Sequence, residues 1–175
     1  KNTAAPETDS LILNETNTTS DQNTHWNDTA PTSSVFTVGT GSVVNRNSST
    51  YVYYLWSEKK GFSKFGSYTG VNNADGPFIY TGFRPAWIMI KDTSAANSWH
   101  IRDNKRSTSN PSINFLVPNT TAAEVTAGEK IDLLSNGFKI RQTGGKLNDS
   151  GNVYIYMAFA ESPFVNSNGV PTNAR

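Results

Sequence analysis

Cysteine is absent from the 175 residues, which removes disulfides, thiolate metal ligands and a thiol nucleophile together. Histidine occurs only twice, as His25 and His100, and Met only twice. Two imidazoles without cysteine leave little material for a zinc site. Charge is also scarce. Only 17% of residues are Asp, Glu, Lys or Arg, and the formal net charge is +1, so the basic footprint of a nucleic-acid or anionic-membrane partner is missing. No run approaches the roughly 18 apolar residues of a membrane helix. The first residues lack the basic-then-apolar pattern of a signal peptide, and there is no initiator Met, so the expected reading is a piece of a longer polypeptide.

What is present is Asn, Ser, Thr and Gly in quantity, with a mean hydropathy of -0.51. These residues favour turns and exposed strand faces over helices. Between them lie short β-branched and aromatic runs: Leu11–Leu13, Val35–Val38, Tyr51–Trp56, Phe62–Phe65, Phe78–Tyr80, Trp87–Ile90, Ser98–Arg102, Ile113–Val117, Ile131–Leu134 and Phe138–Ile140. Such spacing predicts an all-β chain. Ser98–Arg102 alternates as an exposed-face strand, and Ser135-Asn136-Gly137 predicts a tight hairpin. The one helical candidate is Thr120–Val125, where a Thr with Glu124 downstream resembles a capping box.

The chain also repeats itself. Tyr51-Val52-Tyr53-Tyr54-Leu55-Trp56-Ser57-Glu58 returns as Tyr154-Ile155-Tyr156-Met157-Ala158-Phe159-Ala160-Glu161, 103 residues later. Phe36 and Val38 recur as Phe138 and Ile140 at an offset of 102. Both copies of the first string have the composition of a largely buried strand, so equivalent core strands of two modules are expected. The resulting division is residues 1–60 as the C-terminal half of a first module, 61–164 as a complete second module, and 165–175 as a polar tail or linker. A half module cannot cover its own core strand and must find its other half elsewhere.

Candidate chemistry is thin. Glu58 and Glu161 are paired by the repeat rather than by a cleft, so each is expected to be a solvated or turn-capping carboxylate, not half of a glycosidase pair. His25 and His100, with Asp28 and Asp103 three residues on, are expected on the surface or hydrogen-bonded. Asn72, Asn73 and Asp75 offer loop oxygens but too few carboxylates for a regular calcium loop. The glycines from Gly66 to Gly76 lack the Lys-Ser/Thr pair of a P-loop. No catalytic residue, metal or cofactor is expected. Four aromatics beside turns or on alternating strands, Trp26, Tyr68, Tyr80 and Trp99, are candidate platforms for stacking on sugars.

One resemblance adds to this reading. Gly61-Phe62-Ser63-Lys64-Phe65-Gly66-Ser67-Tyr68-Thr69-Gly70, Ala74–Trp87, Leu134–Lys139 and Tyr154–Phe164 resemble the repeat module of marine bacteriophage structural proteins, often placed after a concanavalin-like or SPRY-like β-sandwich. The strand spacing and the internal repeat already predict tandem antiparallel β-sandwich or jelly-roll-like modules with at most one short helix each. The resemblance implies a non-enzymatic virion component on a tail fibre, appendage or capsid surface, assembling with its own copies and other virion proteins. It brings no nucleic-acid partner, no membrane insertion and no catalytic residues. The alternative within it is a host-attachment module that binds surface glycans.

Overall fold

In the computed structural model the described residues are 8–163 with 167 and 168; the expected tail at 165–175 lies outside them apart from those two. The chain divides into two compact units, the first Lys1–Ile12 with Asn17–Trp56 and the second Leu13–Thr16 with Ser57–Arg175.

Among its described residues the second unit contains seven strands: β1 Ser63–Thr69, β2 Phe78–Tyr80, β3 Pro85–Asp92, β4 His100–Asp103, β5 Ile131–Leu134, β6 Gly137–Ile140 and β7 Val153–Ala160. They form a four-stranded sheet in the order β1-β7-β3-β4 and a three-stranded sheet in the order β2-β6-β5. Every pairing is antiparallel. The all-β class therefore holds, with two sheets and very few helical residues.

Period-two side-chain alternation explains how one core serves both sheets. In β7, Tyr154, Tyr156 and Ala158 are buried while Ile155 between them is exposed. From the other sheet come Ile79, Ile131, Leu133, Phe138 and Ile140, and these join the β7 residues, Tyr68, Ile88 and Ile90 in one apolar cluster. Rings tie the layers: Phe138 meets Tyr68 edge-on at 6.4 Å and Tyr156 at 5.3 Å. Such a pair contributes about 0.5–1.5 kcal/mol beyond its buried area. The hairpin forms where Ser135-Asn136-Gly137 predicts it, with Leu134 opposite Gly137. Gly137 is required there because a Cβ would overlap the Ile79 carbonyl of β2.

The first unit departs from expectation. It holds two one-turn helices, α1 Asn23–Trp26 and α2 Ser42–Asn45, where at most one was expected. Leu11–Leu13, Val35–Val38 and Tyr51–Trp56 are not strands; among the described residues of this unit the only β pairing is the bridge between Ser10 and Ser20. Val52, Tyr54 and Leu55 are each more than 70% exposed. Strand-forming side chains do not make a strand without a neighbour to take the backbone hydrogen bonds. Thr120–Val125 is not helical either, because Val125 exchanges both backbone hydrogen bonds with Phe115.

Locally, however, the two units contain the same turn. Asn45 Nδ2 donates to the Gly39 carbonyl at 3.0 Å, and Asn148 Nδ2 to the Gln142 carbonyl at 2.6 Å. Tyr51 Oη accepts the Arg46 amide at 2.8 Å, and Tyr154 Oη the Asp149 amide at 2.9 Å. The amides of Ser49 and Asn152 reach the Arg46 and Asp149 carbonyls, each at 3.2 Å. Ser48 and Gly151 both sit at positive φ, 60° and 79°. All four correspondences share the offset of 103. Each turn follows a helical turn, α2 in one unit and the 3-10 turn Gly145–Leu147 in the other. A fifth matches too: Phe36 meets Tyr53 edge-on at 5.0 Å, as Phe138 meets Tyr156.

Candidate functional site

The second unit carries a shallow depression of about 450 Å³ lined by Glu58, Lys60, Gly61, Ser63, Lys64, Tyr80, Thr81 and Gly82. Its shape follows from two local events. β2 turns Ile79 inward, so alternation turns Tyr80 out, and Tyr80 is 63% exposed. Beyond it the Thr81 hydroxyl donates to the Phe83 carbonyl at 2.6 Å, and Gly82, at φ 80°, places no side chain beneath the Tyr80 ring. On the other wall Ser63 Oγ donates to the Ser57 carbonyl at 2.9 Å, fixing the turn that presents Glu58.

Lys64 Nζ donates to Glu58 Oε1 at 2.7 Å. That hydrogen bond raises the Lys64 pKa, keeping it cationic. An exposed pair of this kind contributes little to stability, about 0–1 kcal/mol. Chemically the depression offers one aromatic face and one ion pair, since the Ser63 and Thr81 hydroxyls are buried and donate to backbone carbonyls. That face and pair suit stacking on a ring and hydrogen bonding to hydroxyls.

Of the four aromatics expected as sugar platforms, Tyr80 stands exposed. Tyr68 and Trp99 are each only 8% exposed, which corrects the expectation for both: their turn-adjacent positions face inward. Tyr68 is packed flat on Tyr154. Trp26, partly exposed at the end of α1, belongs to the first unit.

The carboxylates are paired as structural groups. Glu161 Oε2 lies 3.5 Å from Arg84 Nε, and its Oε1 accepts from Asn104 Nδ2 at 2.8 Å. Asp75 Oδ1 lies 2.6 Å from Lys139 Nζ and 3.4 Å from Arg141. Hydrogen bonding to Lys139 lowers the Asp75 pKa, and the two cations take the oxygen a calcium ion would use. Among the described residues no group of three or more His, Asp and Glu is placed to hold a metal.

Sequence reasoning missed a buried polar cluster under β4. His100 and Arg102 point into the unit, not outward as the alternation suggested, and each is about 1% exposed. His100 stacks on Phe115 at 4.5 Å, and among the described residues neither ring nitrogen has a hydrogen-bond partner, which corrects its expected place on the surface or in a hydrogen bond. Burial, with Arg102 and Lys146 nearby, pushes its pKa down to about 3. Arg102 lies 4.8 Å from the Phe115 ring centre and donates to the Ser112 carbonyl at 2.8 Å and the Glu129 carbonyl at 2.5 Å. Burial lowers its pKa to about 10, so it remains charged. His25, by contrast, does find a partner, the Ser10 hydroxyl at 2.9 Å.

Residues 1–163 match the family described as Domain of unknown function (DUF7483). The chain belongs to that family. No curated protein and no solved structure matches it. The DUF7483 match covers the described residues of both units up to Pro163. The depression, the buried His100 cluster and both copies of the repeated turn all fall within it. Among the described residues no helix is long and apolar enough to cross a membrane.

Proposed function

We propose that this chain is a non-enzymatic structural component of a phage particle, part of a fibre, appendage or capsid surface. It is built of tandem sandwich or jelly-roll-like modules that assemble with neighbouring copies and other virion proteins. The observation that carries the modular part is the repeated turn, with its Asn side-chain bridge and Tyr cap in both units. The virion part is supported by the resemblance of Gly61–Gly70 and Tyr154–Phe164 to phage structural repeats. The pairing of Glu58 with Lys64 and of Glu161 with Arg84 supports the non-enzymatic part, since neither carboxylate is held as a free acid or base. Immuno-electron microscopy of purified particles tests the proposal: label on the tail or capsid surface is expected, and a chain found in lysate but absent from particles overturns it.

A second reading, host-glycan recognition, is favoured by the exposed Tyr80 ring beside the depression. Its test is a glycan array with the wild-type chain and Tyr80→Ala. Hits lost in the variant support it, and no hits with the wild type count against it.

A further inference from the structure

The exposed segment at the end of the first unit has the chemistry of a core strand. Tyr51, Tyr53 and Leu55 correspond through the 103-residue offset to Tyr154, Tyr156 and Ala158, the buried face of β7. Val52, Tyr54 and Trp56 correspond to Ile155, Met157 and Phe159. Phe159 is enclosed by Phe62 at 6.0 Å, Phe65 at 6.1 Å and Trp87 at 5.7 Å, whereas Trp56 is 56% exposed with Tyr54 stacked against it at 6.2 Å. The approach to the two strands is shared, as the repeated turn and the Phe36–Tyr53 and Phe138–Tyr156 ring contacts demonstrate. What differs is the flanks: β7 pairs with β1 on one side and β3 on the other, and among the described residues Tyr51–Glu58 has no strand on either.

We infer that Tyr51–Glu58 is the central strand of a first module, and that polypeptide of this same chain N-terminal to residue 1 supplies the strands on both sides of it. The offset makes the assignment. β1 to β4 span residues 63–103, and moving them back by 103 residues places all four immediately ahead of residue 1. A second copy is a poor donor of that slot, because its own β1 and β3 are already joined by β7, whose Tyr154 and Ala158 are fully buried. Admitting a foreign strand there would expose them. The partner is thus a β1-like and β3-like pair, rich in Phe and Trp facing Trp56 and in apolar residues facing Tyr53 and Leu55. This deepens the proposed function and rests on its modular part only.

Hydrogen exchange tests the inference, comparing the 175-residue chain with the full-length polypeptide. The amides of Val52, Tyr53, Tyr54 and Leu55 are expected to exchange rapidly in the former and at least about 100-fold more slowly in the latter. Trp56 emission is expected to shift to the blue with them. Equal exchange in both proteins overturns the inference, as does a full-length polypeptide too short ahead of residue 1 to hold four strands. Protection in the 175-residue chain that rises with concentration also overturns it, by making a second copy the occupant. In full-length polypeptide Leu55→Asp is expected to unfold the first module while the second retains its own transition; an unchanged first transition counts against the docking. Failure of the virion reading is seen separately, as absence from particles with the protection pattern intact.

Discussion

Tyr68 and Tyr154 lie directly opposite each other on β1 and β7 with their rings stacked, centroids 4.9 Å apart and planes within 10°. Their hydroxyls reach the same turn in opposite senses. Tyr68 Oη donates to the Leu147 carbonyl at 3.0 Å, while Tyr154 Oη accepts the Asp149 amide. Burial raises both phenols, that of Tyr154 to about 12, so both stay protonated at neutral pH and the bonds persist.

Removing the Tyr154 hydroxyl leaves the Asp149 amide without its acceptor. Tyr154→Phe is expected to cost about 1–3 kcal/mol with no change of fold, read from urea unfolding followed by Trp fluorescence. Tyr51→Phe removes the same bond at a less buried site and is expected to cost less.

His100 makes stability depend on pH. It is neutral in both states above pH 6.5. Below that value the unfolded chain takes up a proton that the folded chain refuses until about pH 3, so stability falls as pH falls through this window. At pH 5 the loss is about 2 kcal/mol. His100→Gln is expected to flatten this part of the profile, as measured by melts between pH 7 and pH 5. Equal slopes in the two proteins would refute the assignment.

Arg102 is a buried cation held by backbone carbonyls. Arg102→Met keeps volume but leaves the Glu129 carbonyl without this donor, while Ser112 O still receives the Ile131 amide at 3.2 Å. A loss of about 1–3 kcal/mol is expected. Arg102→Lys is not expected to rescue it, since a single ammonium does not reproduce the two-carbonyl fork.

Gly137→Ala forces a methyl group onto the Ile79 carbonyl, where β2 and β6 pair. Backbone cannot yield as a flexible side chain does. The expected cost is about 1–3 kcal/mol, and loss of β2 pairing is the signature in amide exchange.

Much of the second unit was legible because its signals are local. Asn136-Gly137 announced the β5–β6 turn, and the unbroken apolar run Trp87–Ile90 announced a strand. Tyr51–Trp56 carries an equally clear strand signal and is not a strand, because pairing depends on residues that sequence pattern does not bring to its side. For β4 the period was right and the direction wrong. Alternation shows which residues share a face but not which face is inside, and His100 and Arg102 point inward because Phe115 lies there to receive them. The depression was hardest to see, since Tyr80 and Gly82 stand twenty or more positions from Lys60 and Glu58 on the other wall.

Among the described strands β7 comes last in chain order, and it lies between β1 and β3. Until the ribosome has released it, its two neighbours have nothing in common to bind, and the nascent sheet is two loose pieces with a gap in the middle. Folding of this four-stranded sheet therefore waits for β7, with the slow closure expected of distant pairings. A nonsense codon a few residues before Val153 removes the keystone and not the rim, and is expected to yield an aggregating chain in place of a shortened domain.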